Sequence, residues 1–415
     1  MFHLKNQAED DDPFERQRRI EWWDQNILRQ AKIMVVGAGA LGNETLKNLA
    51  LLGIGKIFIL DFDTISGSNL SRTVLFRKQD IGLQKAAVAA ACTKEMALEQ
   101  NAKVSFFHGD LVWDLGLGVY RRMDIVLGCV DNDEARLAIN RACFSIGVPW
   151  VNAGIQGLSG NVMVFGQEGV CYECNVTADQ IEDAHSRYDS CENVKKRYLQ
   201  QERMPTVQIT SALISALQTQ EAIKLLHCQT SAVGKRIAFN GFTNNYSVIT
   251  LQPYDNCMAH GKYQDIKELD LGARSSTLQD LFDRVEVEMG QDFIINLGRR
   301  FIFDIKCRHC SSLIELMRPA HRIFDDELIC EKCHSSNYKV ESQKLGDGAI
   351  NSGQYIRSID RISSKQVSSQ LLSLSLWDLG IPPLHLISVN NSQKQVTFEL
   401  TADCRDVLGE FVDDL

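Results

Sequence analysis

Between Asp61 and Asp131 the chain carries polar side chains whose types suit a phosphate chain: Asp61 and Asp63 in DFD, Asn69 and Arg72 in SNLSR, Lys85 in GLQKA and Asp131 in GCVDNDEAR. Arg72 and Lys85 can neutralise phosphate oxygens, Asn69 can donate an uncharged hydrogen bond, and Asp131 can hold Mg2+ through oxygen. Just upstream, Gly37, Gly39 and Gly42 spell G-x-G-x-x-G. That spacing permits a tight turn and lets backbone N–H groups at a helix start face phosphate. Asp61 follows Gly37 by 24 residues, at the place where an acidic side chain accepts ribose hydroxyls. The glycines and Asp61 alone would serve a nicotinamide dinucleotide equally well. The added arginine, lysine and carboxylate favour ATP with Mg2+, because a nicotinamide site has no use for them.

Thiols form the second group. The chain has 13 cysteines, an odd number, and C-x-x-C pairs account for several of them, which points to metal ligands rather than a disulfide framework. Cys307, Cys310, Cys330 and Cys333 have the spacing of a zinc ribbon, C-x2-C-x19-C-x2-C. With every position filled by protein, such a Zn2+ site is structural rather than catalytic. Cys171 and Cys174, in CYEC, form half of another site. Free and metal-bound thiols fit a reducing compartment, so a cytoplasmic location is expected.

The elements that must position these groups follow from hydrophobic period. KIMVV stops at the glycine cluster and is followed by a helix with Leu41, Thr45, Leu46 and Leu49 on one face, then by KIFILDFD as the next strand. VSFFHG and DIVLGCVD continue the strands, KAAVAAACTKEMALE and NDEARLAINRACFSIG the helices. Alternation of this kind makes an α/β fold with a doubly wound, mostly parallel sheet. Residues 1–30, with Ile20, Trp23 and Ile27 at helical spacing, are expected to form a helical arm. Residues 31–265 form the nucleotide domain, with a polar cysteine-bearing insertion at about 171–205. Residues 266–345 are expected to form a zinc-ribbon module, with FIINLG and RRFIFDIKC as strands. Residues 346–415 are expected to form a small β-rich module containing the hairpin HLISVNNSQKQVTFEL.

Length and charge limit the function. At 415 residues there is room for two or three domains; a composition of 44% hydrophobic and 23% charged residues is that of an ordinary globular protein. A net charge of −9 argues against nucleic acid as the main ligand. No apolar run is long enough for a membrane span, so neither nucleic acid nor membrane is an expected partner.

Taken together, the glycine turn, DFDTISGSNLSR, GLQKA and GCVDNDEAR resemble the ThiF/MoeB/HesA superfamily, whose larger members are the ubiquitin-activating enzymes, from about Arg16 to His260. The resemblance implies ATP and Mg2+, with ribose contact by Asp61 or Asp63, phosphate contact by Asn69, Arg72 and Lys85, and Asp131 as the metal carboxylate. It implies an arginine before the first strand that reaches the ATP of the opposite protomer, hence a homodimer; RQRRI offers Arg16, Arg18 and Arg19, of which Arg19 is favoured. Family members with zinc carry a second half-site where this chain has Cys257 and His260, which would complete a set with Cys171 and Cys174. Ala40 and Thr73 depart from common family residues, but neither change removes a charge that the chemistry needs.

The family's chemistry is attack of a carrier protein's C-terminal carboxylate on the α-phosphorus of ATP, with pyrophosphate leaving. Cys191 is left over from both metal sets and precedes MPTVQITSALISALQTQEAIKLL, a segment that resembles the helix after the catalytic cysteine region of activating enzymes. The first expectation is therefore an activating enzyme for a ubiquitin-like protein, with a Cys191 thioester passed to a conjugating enzyme. The alternative is an adenylyltransferase for a sulfur-carrier protein, which needs no thioester. A non-catalytic scaffold would not need Arg72, Lys85 and Asp131.

Overall fold

The computed structural model describes residues 12–177, 179–181, 205–307, 309–334 and 356–414. An eight-stranded sheet has the order β3-β2-β1-β4-β5-β6-β7-β8. Its parallel part comprises β1 (Lys32–Val36), β2 (Lys56–Leu60), β3 (Lys103–Phe107), β4 (Ile125–Gly128) and β5 (Trp150–Gln156). Antiparallel β6 (Ser159–Phe165), β7 (Lys235–Asn240) and β8 (Asn245–Thr250) extend it. The first parallel strands are apolar on both faces, as helices on both sides require.

The helices are α1 (Gln25–Gln30), α2 (Ala40–Leu52), α3 (Lys85–Met96), α4 (Asp133–Ile146) and α5 (Gln208–Leu226). Leu41, Leu46 and Leu49 of α2 bury against Ile33, Val35, Ile57 and Ile59 on one face of the sheet; Met34, Val36 and Phe58 bury with Leu137 and Ile139 of α4 on the other. The expected helical arm is interrupted. A 3-10 turn at Gln17–Arg19 ends at extended Ile20, and α1 starts afresh where the Asp24 carboxylate accepts the Asn26 N–H at 2.8 Å. Ile20 is exposed, so the periodicity that suggested one helix does not reflect one buried face.

The remaining strands, β9 (Ile266–Leu269), β10 (Ile294–Lys306), β11 (Leu313–Pro319), β12 (Ile356–Ser363), β13 (Leu386–Asn390) and β14 (Gln395–Leu400), form a second, six-stranded sheet. Helix α6 (Leu278–Met289) packs its Leu281, Phe282 and Val285 into the same core as Ile387, Val389 and Phe398. This corrects two expectations. FIINLG and RRFIFDIK are one strand, β10, carried through Gly298 at φ +65°. Residues 266–345 and 346–415 are not separate modules either: β9 pairs with β14, and β10 pairs with β12 and β13, so neither stretch completes a sheet alone.

The second sheet is also fastened to the first. Two short helices, α7 (Ser369–Leu372) and α8 (Cys404–Leu408), complete the elements; Leu384 between them, Leu408 at the end of α8 and Phe411 beyond it enter the core that holds Phe58. Backbone bonds run from Gly116 N–H to Pro383 O at 3.0 Å and from Gly118 N–H to Leu384 O at 2.8 Å. Glu399, fully buried, pairs with Arg121 and Arg122.

Candidate nucleotide site and metal centres

Strand ends build the cleft. In a doubly wound sheet a ligand sits beyond the carboxyl ends of the strands, where the strand order reverses. Here β1 lies between β2 and β4, and β1 runs into Gly37, β2 into Asp61 and β4 into Cys129 to Asp131. Gly37, at φ +94°, passes so close to β4 that an added Cβ would lie 2.6 Å from Cys129 O. A side chain there would be strained by both conformation and contact.

One cleft is lined by Gly37, Gly39, Asp61, Asp63, Asn69, Arg72, Lys85 and Asp131. The structure thus brings together nearly all the nucleotide candidates. Gly42 lies instead in the first turn of α2, against Gly37 O, where a Cβ would not fit. The Asp61 carboxylate accepts the Ala38 N–H and the Asp63 N–H, each at 2.7 Å, and so fixes the turn while retaining lone pairs for a ribose hydroxyl. Burial pushes the Asp61 carboxyl up, opposed by Lys85 nearby. Lys85 Nζ is 2.7 Å from Asp63 Oδ2.

Asn69 is buried, its Oδ1 accepting the Ser66 N–H at 2.8 Å, which leaves its amide N–H groups as the available donors. Arg72 donates to the Ser68 carbonyl at 2.9 Å. Neither Arg72 nor Asp131 has an ion pair among the described residues, so their charges remain for a ligand. An oxygen ligand such as Asp131, on the wall that also carries cationic donors for phosphate, fits Mg2+.

Arg136 lines this cleft and also an adjoining groove over the antiparallel strands, shared with Asn152, Gly154, Asn161 and Arg236.

Both thiol sets converge. Cys171 Sγ lies 3.7 Å from Cys174 Sγ and 3.6 Å from Cys257 Sγ, and Cys174 Sγ is 3.3 Å from His260 Nε2. In the second set Cys307 lies 3.6 Å from Cys333 and Cys310 lies 3.5 Å from Cys330. Disulfide sulfurs are about 2 Å apart. Zn–S bonds of about 2.3 Å in a tetrahedron place sulfurs about 3.7 Å apart. The ligand atoms of each set lie within 4.8 Å of one another, the donor set that Zn2+ takes. His260 also stacks on Phe144 of α4, at 4.5 Å between ring centres.

Arg19 is exposed, pairs with Glu15 and does not line the cleft of its own chain. Arg16 and Arg18 are also exposed. Cys191 lies outside the described residues.

Other supporting residues escaped the sequence analysis. Gln218 of α5, fully buried, donates to Gly128 O at 3.0 Å and Val151 O at 2.8 Å and accepts from Thr45, tying β4 and β5 to α2. A polar residue at a buried helix position, flanked by Leu217 and Ile223, was the available signal. Arg136, in VDNDEAR, reads as an ordinary surface arginine on the helix until the groove is seen.

Comparison with known proteins agrees with this geometry. The chain is 41% identical over 155 residues to SUMO-activating enzyme subunit 2 of Dictyostelium discoideum, a match covering 36% of this chain and 23% of that protein. It is 27% identical over 296 residues to a probable molybdopterin-synthase adenylyltransferase of Porphyra purpurea, covering 70% of this chain and 72% of that one. The chain thus spans about a quarter of the SUMO-activating relatives it matches. A crystal structure of E. coli MccB with succinimide shares the fold at 21% identity, with a TM-score of 0.50, over 61% of this chain and 75% of that one. The ThiF family model matches residues 14–259, the stretch that carries the glycine turn, the charged cleft and the first thiol set, and the chain belongs to the ThiF family.

Proposed function

We propose that the chain adenylates the C-terminal glycine of a ubiquitin-like or sulfur-carrier protein, with ATP and Mg2+. The observation that carries this is the cleft itself: Asn69, Arg72, Lys85 and Asp131 converge on a glycine turn, and a neighbouring groove shares Arg136 with that cleft. A carboxylate oxygen attacks the α-phosphorus, a P–O bond forms, and the α–β bridging bond breaks to release pyrophosphate. The reaction needs no protein nucleophile; it needs alignment and neutralisation of charge developing on phosphate oxygens. Arg72 and Lys85 supply that charge, and Lys85 must exchange its Asp63 contact for phosphate to do so. Asp131 would hold the Mg2+, whose contribution is further neutralisation of the polyphosphate. Asp61 holds the turn and receives the ribose.

In this reading Cys191 then takes the acyl group as a thioester, AMP leaves, and a conjugating enzyme accepts the acyl group. The likeness to SUMO-activating subunits supports that step, whereas the molybdopterin-synthase relative supports adenylation without it. The protein acts as a homodimer, with Arg19 of one protomer reaching the neighbour's ATP. It works in the cytoplasm; no helix among the described residues is long and apolar enough to cross a membrane.

The test uses ATP, Mg2+ and a ubiquitin-like protein ending in glycine, on non-reducing gels with intact mass. A thiol-sensitive adduct that vanishes in Cys191→Ala, with carrier-dependent pyrophosphate exchange retained, supports the thioester. Exchange without any adduct establishes the sulfur-carrier type of reaction instead. Absence of exchange with every carrier removes the adenylation reading.

A further inference from the structure

We infer that Asn43 is a positioning residue, coupling the glycine turn to the loop that carries Asn69 and Arg72, so that the two phosphate-facing segments hold one geometry. The inference rests on the nucleotide site proposed above and adds a residue to it.

Asn43 lies in the first turn of α2 and has no exposed surface, between Leu41 and Leu46, which are core residues. A primary amide in such a place is tolerated only if its hydrogen bonds are made. Its Nδ2 donates to Ala38 O at 2.7 Å and to Gly39 O at 3.0 Å, both carbonyls of the glycine turn. Its Oδ1 accepts the Leu75 N–H at 2.9 Å.

Leu75 lies three residues after Arg72, and residues 70–77 belong to no helix or strand, so no ladder fixes their backbone. Leu75 and Phe76 bury their side chains in the core of the first sheet, and a set of individual bonds fixes the backbone. Thr73 Oγ1 donates to Asn69 O at 3.0 Å, Arg72 N–H to Asn69 O at 3.0 Å, and Leu75 N–H to Asn43. The first two are local to the loop; the Asn43 bond is the one that reaches across to the turn. A single side chain therefore uses both its donors on one phosphate-facing segment and its acceptor on the other. Alanine would leave three backbone groups without these partners, and the loop carrying Arg72 would keep its core packing but lose the polar tie that sets its backbone against the turn. A displacement of about 1 Å is enough to spoil an aligned group.

Asn43 touches no substrate in this scheme. It acts through Arg72, and that makes the prediction distinct from loss of folding. The probe is a fluorescent N-methylanthraniloyl ATP with Mg2+, titrated into wild type, Asn43→Ala, Arg72→Ala and the double variant, with melting curves on each. Asn43→Ala is expected to weaken binding about tenfold in the wild-type background and less than twofold once Arg72 is gone, since residues acting through one another are not additive. Equal weakening in both backgrounds would show general loosening and overturn the inference, as would no weakening at all.

Hydrogen exchange on the wild type provides an arm that no folding defect can spoil. The nonhydrolysable analogue AMP-PNP with Mg2+ should slow exchange at the Leu75 amide together with the amides of residues 38–43. Slowing at 38–43 with Leu75 unchanged counts against the coupling. Wild-type protein that binds neither nucleotide overturns both this inference and the nucleotide site.

Discussion

Charges are used differently in the two sheets. In the second sheet ion pairs are closed on themselves: Glu288 is 2.7 Å from both Lys267 and Lys394, Lys365 is 2.8 Å from Asp292, and Arg318 is 2.7 Å from Glu327. At the strand ends of the first sheet Arg72 and Asp131 are left without ion pairs among the described residues, and Lys85 has only half-exposed Asp63. Paired charge holds elements together, whereas charge kept unpaired in a concave site costs stability and persists where a ligand supplies its partner. The difference separates a scaffold from a site, although both sheets share one core at Leu384 and Phe411.

Removing a cleft charge should cost the protein most of its activity and little of its stability. Arg72→Ala and Lys85→Ala should each lower carrier-dependent pyrophosphate exchange about 100-fold or more, the usual effect of losing one preorganised charge partner. The melting temperature of Arg72→Ala should stay close to wild type, because no structural pair is lost there, and that of Lys85→Ala should fall modestly, because Lys85 is buried and its one partner, Asp63, is half-exposed. A large fall in stability would place them with the scaffold charges.

Next comes the junction. Glu399→Gln leaves Arg121 and Arg122 without their buried carboxylate, and one-sided removal of a buried pair costs about 3–5 kcal/mol. Thermal unfolding should show it as a large drop in Tm. A smaller effect is expected at the second thiol set: Cys333, itself exposed, lies 3.6 Å from Cys307, which belongs to a satellite core with Ile302, Ile305, Leu316 and Ile323. Cys333→Ser should release one equivalent of zinc by metal analysis and loosen that core while exchange stays within about twofold. Cys257→Ser, by contrast, should lower exchange too, since the first set braces α4 beside the cleft.

What is written in local segments was legible in the sequence, and what depends on the chain meeting itself far away was not. The glycine turn, Asp61, Lys85 and the three C-x-x-C half-sites lie in short segments that can be read by themselves. The six-stranded sheet does not: β9 pairs with β14 across more than a hundred residues, so the supposed modules looked separable. Gln218 and Asn43 escaped for the same reason. Their partners, Gly128 and Val151 for one and Leu75 for the other, lie on distant elements. Cys129 illustrates the limit from the other side, a cleft thiol that burial pushes up to about 12, inert despite its place in the site.

The smallest effect belongs to Glu288. Hydrogen bonds from Lys267 and Lys394 hold its carboxyl down to about 2, below its usual value of 4.5. A depressed carboxylate adds stability above its unfolded-state value and loses it as pH falls through the folded one. Its contribution is therefore present above about pH 4.5 and fades toward pH 2. Glu288→Gln should flatten the acid limb of a stability–pH profile slightly and leave pyrophosphate exchange untouched.

The most direct measurement is ATP–pyrophosphate exchange in the presence of a ubiquitin-like or sulfur-carrier protein with its C-terminal glycine intact, set against the same carrier lacking that residue. Exchange that requires ATP, Mg2+ and the intact terminus, and that falls about 100-fold in Arg72→Ala, is what adenylation at this cleft predicts. Exchange indifferent to the carrier's last residue, or to Arg72, would contradict it.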